Sequence, residues 1–391
     1  MPKITRVEVF QVDLEPTIAR SDAIQAVTHQ ETPMVRILCD DGSEGTGYSY
    51  TIGNGGSSVI ALLRDHLAPR LIGTDAEMVE EIWKDLFYNT HALSVGAITS
   101  IALCVIDVAL WDRRCRAASL PLHVMAGGAH RRIPVYDTDG GWLHFKAGEL
   151  VENALAAKAK GFRAVKIKIG KPHVSEDVAR LAAVRKAVGP AFDIMTDANQ
   201  GFTVSEAIRR ARHYEALDIA WLEEPLPAED LNGHVVLSQS TSVPIAIGES
   251  LYHLAHFREY LQRGACSIIQ ADVGRVGGIT PWLKIAHIAE SFNVQVCPHY
   301  LMELHLGLCC AVPNATWLEH IPWLEIITKS RVAFKDGYAI PSSQPGLGIE
   351  WDWKAIERRR AQAPAVVTAS RSAPKPAGKP AKGRTTGGVR K

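Results

Sequence analysis

Two lysines stand two residues apart inside an apolar run, Val165-Lys166-Ile167-Lys168-Ile169, where desolvating even one unpaired ammonium is costly. On a strand this spacing puts both lysines on one face and Ile167 on the other. A second ammonium nearby disfavours the charged form and lowers the pKa. One lysine is then expected to take a proton while the other stays cationic and grips an anion. Asp197, Glu223 and Glu249 follow at equal spacing. Three carboxylates pointed into one cleft repel each other and need a cation; oxygen-only ligands with room left for water and substrate suit Mg²⁺. Asp272 and His299 suit a dyad in which the carboxylate orients the imidazole and raises its basicity. Glu319, if protonated, would hydrogen-bond a substrate carboxylate oxygen as charge develops there. A lysine base, a His–Asp pair and Mg²⁺ together fit proton abstraction next to a carboxylate, where stabilising the enediolate is the hard part.

These residues need elements that bring them together. From Ile133 onward, short apolar strands alternate with amphipathic helices: 133–138, 164–169, 192–199, 219–225, 244–250, 267–273, 294–299 and 316–320. A regular βα repeat predicts a parallel sheet. Eight such strands close into a TIM-type (β/α)7β barrel with its chemistry at the C-terminal strand ends. One carboxylate after a strand is commonly a helix N-cap; polar residues at seven consecutive strand ends would instead face one another across a mouth. An open doubly wound sheet is the rival, and no G-x-G-x-x-G follows the first strand to support it.

The first 128 residues read as an α+β unit, with strands near 4–13 and 34–40, a polar loop between them, and a helical run over 97–117. Residues 129–330 form the expected barrel, 331–365 a segment returning to pack on the N-terminal unit, and 366–391 a disordered tail. The chain has 391 residues, 47% of them hydrophobic and 22% charged, values ordinary for a globular protein. Its 43 bases and 42 acids nearly cancel, but seven of the bases fall between Arg371 and Lys391 with no acid among them, leaving the body acidic. That Pro/Gly/Lys-rich tail cannot bury enough surface to fold. No apolar run approaches membrane-spanning length, the N-terminus lacks a signal-peptide pattern, and the seven cysteines show no C-x-x-C spacing. A cytoplasmic enzyme with a small carboxylate substrate, and no nucleic-acid or membrane partner, is expected.

As a set, "KIK" (166–168), "DAN" (197–199), "LEEP" (222–225), "GES" (248–250), Asp272, "PH" (298–299) and "WLEH" (317–320) resemble the mandelate racemase subgroup of the enolase superfamily, over about residues 3 to 360. The resemblance implies an enolase-like capping domain that selects the substrate, with Lys168 as base and Lys166 as its electrostatic partner and carboxylate binder. It implies Mg²⁺ on Asp197, Glu223 and Glu249, a His299–Asp272 dyad, Glu319 on the substrate carboxylate and Asn199 on a substrate hydroxyl. It also implies a homo-oligomer, dimer or octamer. Within the subgroup, "DTDGGWLH" (137–144), "RVGGITPWLKI" (275–285) and "PHYLMELHLGL" (298–308) look most like acid-sugar dehydratases of the L-talarate/galactarate type. The cap loop residues Arg20, Ser21, Asp22, Gln25, Thr28 and His29 suit a polyol, with an ordinary solvated loop as the other reading. Arg275 is a candidate either for a distal carboxylate or for a structural role. The expected reaction is dehydration of an aldarate or aldonate to a 2-keto-3-deoxy acid. Epimerisation of an α-hydroxy acid by the same residues is the alternative, and a binding protein without turnover is the reading from another class.

Overall fold

The computed structural model of the chain describes residues 1–93 and 96–369. The greater part of the expected basic tail, from residue 370, lies outside the described residues.

The N-terminal unit is an antiparallel sheet backed by helices. Its strands, in spatial order, are Ala365–Thr368, Ile4–Leu14, Gln30–Cys39 and Glu44–Tyr48. The pairing of Arg6 with Thr368 carries order into the segment expected to be tail. The Ile4–Leu14 strand serves two cores: Ile4, Val7 and Val9 pack within the cap, while Phe10, Val12 and Leu14 join the barrel's core. The Ala97–Ala117 helix is apolar on most of its surface and accordingly buried on most of it. It lies so close to the sheet that a Cβ on Gly47 would stand 2.0 Å from the Val105 carbonyl oxygen. The polar loop of this unit holds a small hairpin, Arg20–Ser21 with Ala26–Val27. Its turn is fixed by Asp22, whose Oδ1 accepts the backbone N–H groups of Ile24 and Gln25.

Eight parallel strands follow, Ile133–Asp137, Ala164–Lys168, Asp193–Asp197, Trp221–Glu223, Ile245–Ile247, Ile268–Ile269, Gln295–Val296 and Leu318–His320, the first seven bonded one to the next in sequence order. Leu318–His320 pairs with the first strand, and a bridge from Val296 to Ala315 closes the cylinder. Tyr136, Ala164, Met195, Trp221, Ala246, Ile268 and Cys297 form an apolar plug inside. With a side-chain period of two, most of these plug residues stand two positions before a polar one: Tyr136 before Thr138, Ala164 before Lys166, Met195 before Asp197, Trp221 before Glu223 and Cys297 before His299. The plug is the floor of the site.

The sixth and seventh strands are much shorter than the runs 267–273 and 294–299 predict. Their C-terminal backbone donors bond to side chains instead of a neighbouring strand: Val273 N–H to His305 Nε2, Gly274 N–H to Asp272 Oδ1 and Tyr300 N–H to Glu319 Oε2. The C-terminal segment first extends the barrel sheet through the hairpin Ala333–Lys335 and Tyr338–Ile340. It then returns to the cap, where Trp351 meets Tyr48 edge-on and Trp353 lies near Phe10. All seven cysteines are buried and unpaired. Among the described residues, no helix is long and apolar enough to cross a membrane.

Candidate active site

The strand ends bring the sequence-predicted residues together. Lys166 and Lys168 are buried on the inner face, 1% and 5% exposed, as the alternation requires. Asp197, Glu223 and Glu249 each offer an oxygen within 4.8 Å of the others. Asp197 Oδ2 accepts from Lys168 Nζ at 2.5 Å, and Glu223 Oε1 from Lys166 Nζ at 2.8 Å. Trp221 Nε1 and Gln270 Nε2 both donate to Glu223 Oε2. Glu249 Oε2 is buried without a hydrogen bond; it stands 3.2 Å from His299 Nε2, outside bonding alignment.

This donor set fits Mg²⁺. It consists of carboxylate oxygens, one of them uncommitted, converging on one point, and ligand distances of about 2.1 Å place neighbouring oxygens about 3 to 4 Å apart. The electrostatics agree: burial and then the adjacent Asp197 push Glu223 up to about 7. Even with Lys166 bonded to it, Glu223 resists ionising beside a second carboxylate.

Two expectations about charge are corrected. Lys168 is not depressed. Burial and Lys166 both favour its neutral form, yet Asp197, with Glu249 and Glu223 adding to it, outweighs them and raises its pKa. Carboxylates outnumber ammonium groups around the pair, so the mutual repulsion of the lysines does not decide. Glu319 is not protonated either. Burial opposes its charge, but Lys166 at 2.8 Å, supported by Thr138 and His299, holds the carboxyl far below its usual range.

His299 Nδ1 lies 2.8 Å from Asp272 Oδ2. Burial lowers the imidazole's proton affinity, while Glu249 and Asp272 raise it further, so the ring ends above its ordinary value. Lys168 and His299 both line a cavity of about 160 Å³ roofed by the Arg20–Val27 hairpin region. Asn199 lines it too, and its Oδ1 is buried without a partner. Five non-glycine residues at the strand ends, Asn199, Gln200, Glu224, Tyr300 and Leu301, have positive φ, a concentration of backbone strain typical of functional sites. Gly141 lets the loop after the first strand cross the second: a Cβ there would stand 1.8 Å from the Lys166 carbonyl oxygen. That crossing sets the Trp142 ring 5.5 Å from Lys168 Nζ.

Three sequence-predicted assignments differ from what the structure shows. Lys166 does not line the cavity; it lies beneath, bound to Glu223 and Glu319. His29 does not line it either, because its ring turns to Thr28 and packs beside Gly53. Arg275 lines the cavity at the metal end, where its Nη1 donates to the Glu249 carbonyl oxygen at 3.1 Å, so it is not placed for a distal group. Tyr50, Trp142 and Trp323 line the cavity and carry no spacing signal that would single them out in the sequence.

Comparison with known proteins identifies the family and the fold. Residues 5–127 match the family described as mandelate racemase / muconate lactonizing enzyme, N-terminal domain, and residues 149–355 match enolase C-terminal domain-like. The chain is 36% identical over 316 residues to L-talarate/galactarate dehydratase of Salmonella typhimurium, covering 81% of this chain and 79% of that one. It is 33% identical over 354 residues to 3,6-anhydro-alpha-L-galactonate cycloisomerase of Streptomyces coelicolor, covering 90% and 98%. The structure of L-talarate dehydratase from Polaromonas sp. JS666, complexed with Mg and L-glucarate, superposes with a TM-score of 0.90 at 34% identity, over 94% of this chain and 100% of that one.

Proposed function

The chain belongs to the mandelate racemase / muconate lactonizing enzyme family of the enolase superfamily, and on that premise we propose that it is an Mg²⁺-dependent hydro-lyase that dehydrates a sugar acid. The observation that carries the reading is the convergence of Lys168, the His299–Asp272 pair and a three-carboxylate cluster on one small cavity. Asp197, Glu223 and Glu249 would hold the cation. When bound, it supplies Lewis-acid stabilisation of charge on the substrate carboxylate and offsets the Asp197 charge that otherwise keeps Lys168 protonated.

Lys168 Nζ takes the C2 proton, with Trp142 over it excluding water. Lys166, tied to Glu223 and Glu319, is a buried positive charge beside it that disfavours a second ammonium. His299 gives a proton to the C3 hydroxyl as the C3–O bond breaks. Water leaves, and the resulting enol becomes a 2-keto-3-deoxy acid. Asp272 fixes the imidazole's orientation throughout. Asn199 Oδ1, buried and unpartnered, is placed to accept a substrate hydroxyl.

Presence of two acid/base groups on one cavity also favours a second reading: if His299 returns its proton to C2, the product is the epimer. Incubating the Mg²⁺-loaded protein with a library of aldonic and aldaric acids, and detecting keto acid with semicarbazide, tests the dehydratase. Epimer without keto acid selects the second reading. Absence of both, and of C2 deuterium exchange in D₂O, would leave a binding protein.

A further inference from the structure

At the cap end of the cavity, three buried hydrogen-bond donors lack partners: Arg20 Nη1, Trp142 Nε1 and Trp323 Nε1. They belong to one cluster. The Arg20 guanidinium carbon lies 4.3 Å from the Trp323 ring centroid and 5.9 Å from that of Trp142. The rest of the guanidinium is spoken for. Nε and Nη2 make a two-pronged contact with Asp139 at 2.9 and 2.8 Å, and Nη2 also donates to the Pro322 carbonyl oxygen. Those bonds orient Nη1, and Arg20 as a whole is only 2% exposed. Buried donors left unmatched are costly, so the cluster calls for an acceptor from outside the chain.

The occupant's chemistry follows from the inventory. The three unpartnered groups are all donors, and Asp22, the acid on this loop, has its Oδ1 taken by the turn it closes. A carboxylate only accepts, whereas a terminal hydroxyl also needs somewhere to donate. Lys168 Nζ lies 5.5 Å from the same Trp142 ring, so the sum of these two distances to one centroid caps its separation from the Arg20 guanidinium. A six-carbon chain, about 1.5 Å per bond, spans on the order of 6 Å between its end carbons, a length within that limit.

We propose that Arg20, with Trp142 and Trp323, receives the far carboxylate of a sugar diacid, so that the substrate is an aldarate and not an aldonate. This rests on the dehydratase reading, whose own relatives act on substrates of either kind by name. The test compares matched pairs differing at one end, galactarate with galactonate and glucarate with gluconate, in keto-acid formation and in calorimetric binding with Mg²⁺ present. Wild type should favour the diacid of at least one pair by on the order of tenfold to a hundredfold in kcat/KM. Arg20→Gln should raise the diacid's KM and collapse that preference. Because Arg20→Gln strands Asp139, the double variant Arg20→Gln/Asp139→Asn is measured beside it, with thermal melts to confirm folding. Equal turnover of diacid and monoacid by wild type, or a preference surviving in a folded variant, overturns the inference while leaving the dehydratase standing. Diacid-selective binding that Arg20→Gln abolishes, without keto acid from any substrate, supports the inference and overturns the dehydratase. Neither turnover nor binding of any diacid overturns both.

Discussion

Tyr50, carried by the cap, donates its hydroxyl to Asp272 Oδ2 at 2.5 Å, the same oxygen that lies 2.8 Å from His299 Nδ1. The acid/base pair of the barrel is thus held in part by the other unit. Burial keeps the phenol's pKa well above its ordinary value, so Tyr50 remains a donor. Tyr50→Phe keeps the ring contact with Tyr300 but removes one of the bonds that hold the Asp272 carboxylate, leaving the Gly274 N–H on Oδ1, and the imidazole loses part of its fixed orientation. A net hydrogen bond to a charged group is worth about 1.5 to 3 kcal/mol. We therefore expect kcat for keto-acid formation to fall about tenfold or more, with Mg²⁺ affinity by calorimetry unaltered. An unchanged kcat would show that the cap plays no part in orienting the dyad.

The roles of Lys168 and His299 separate by isotope. Lys168→Ala should abolish both C2 deuterium exchange in D₂O and keto-acid formation, each by a factor on the order of 10² to 10⁴. His299→Asn should cost a similar factor in keto acid yet leave C2 exchange running, because the lysine still takes and returns the proton. Exchange lost in His299→Asn and retained in Lys168→Ala would reverse the assignment. Proton NMR of the C2 position reads both outcomes.

The barrel and its metal cluster were legible because period-two alternation under a helical jacket admits few alternatives. Lys166 and Lys168 cannot face outward without burying two ammonium groups among helices. The net charge state was not legible from "KIK" alone: Asp197, on the next strand, outweighs the neighbouring lysine, and sequence spacing gives no distances. Tyr50 and Arg20 were hard to place for another reason. Each meets the barrel across a seam between segments more than a hundred residues apart, at Asp272 and Asp139, and no local pattern encodes such a contact. His29 reads as a loop donor like Arg20, but the hairpin at Arg20–Val27 aims one inward and leaves the other beside Gly53.

Loading the carboxylate cluster should stabilise the fold. Glu249 Oε2 has no hydrogen bond to lose, and neutralising three converging acids removes their repulsion. A ligand that binds only the native state adds about 2.7 kcal/mol when present at a hundredfold its Kd. Differential scanning calorimetry should show Tm rising with Mg²⁺ concentration for wild type and much less for Glu249→Gln, and chelation should abolish turnover until Mg²⁺ is restored. A Tm indifferent to Mg²⁺ across millimolar concentrations would argue against the cluster as its site.

Stability should carry the mark of Asp107, a buried carboxyl of the Ala97–Ala117 helix that accepts Thr280 N–H at 2.9 Å and Thr280 Oγ1 at 2.6 Å, joining cap to barrel. Burial pushes its pKa from 3.8 up to about 7. Between those values the folded state holds a proton that the unfolded state releases. The contribution is therefore fully present at low pH, declines as pH rises from about 4, and is gone above about 7, at a slope of at most about 1.4 kcal/mol per unit. Asp107→Asn can keep both Thr280 contacts and does not titrate. Subtracting its urea-unfolding free energies from those of wild type, measured from pH 4 to 8, isolates this group from the other titrating acids. The difference should shift in favour of the variant as pH rises and level off near neutrality; a flat difference would mean that Asp107 stays ionised in the folded protein.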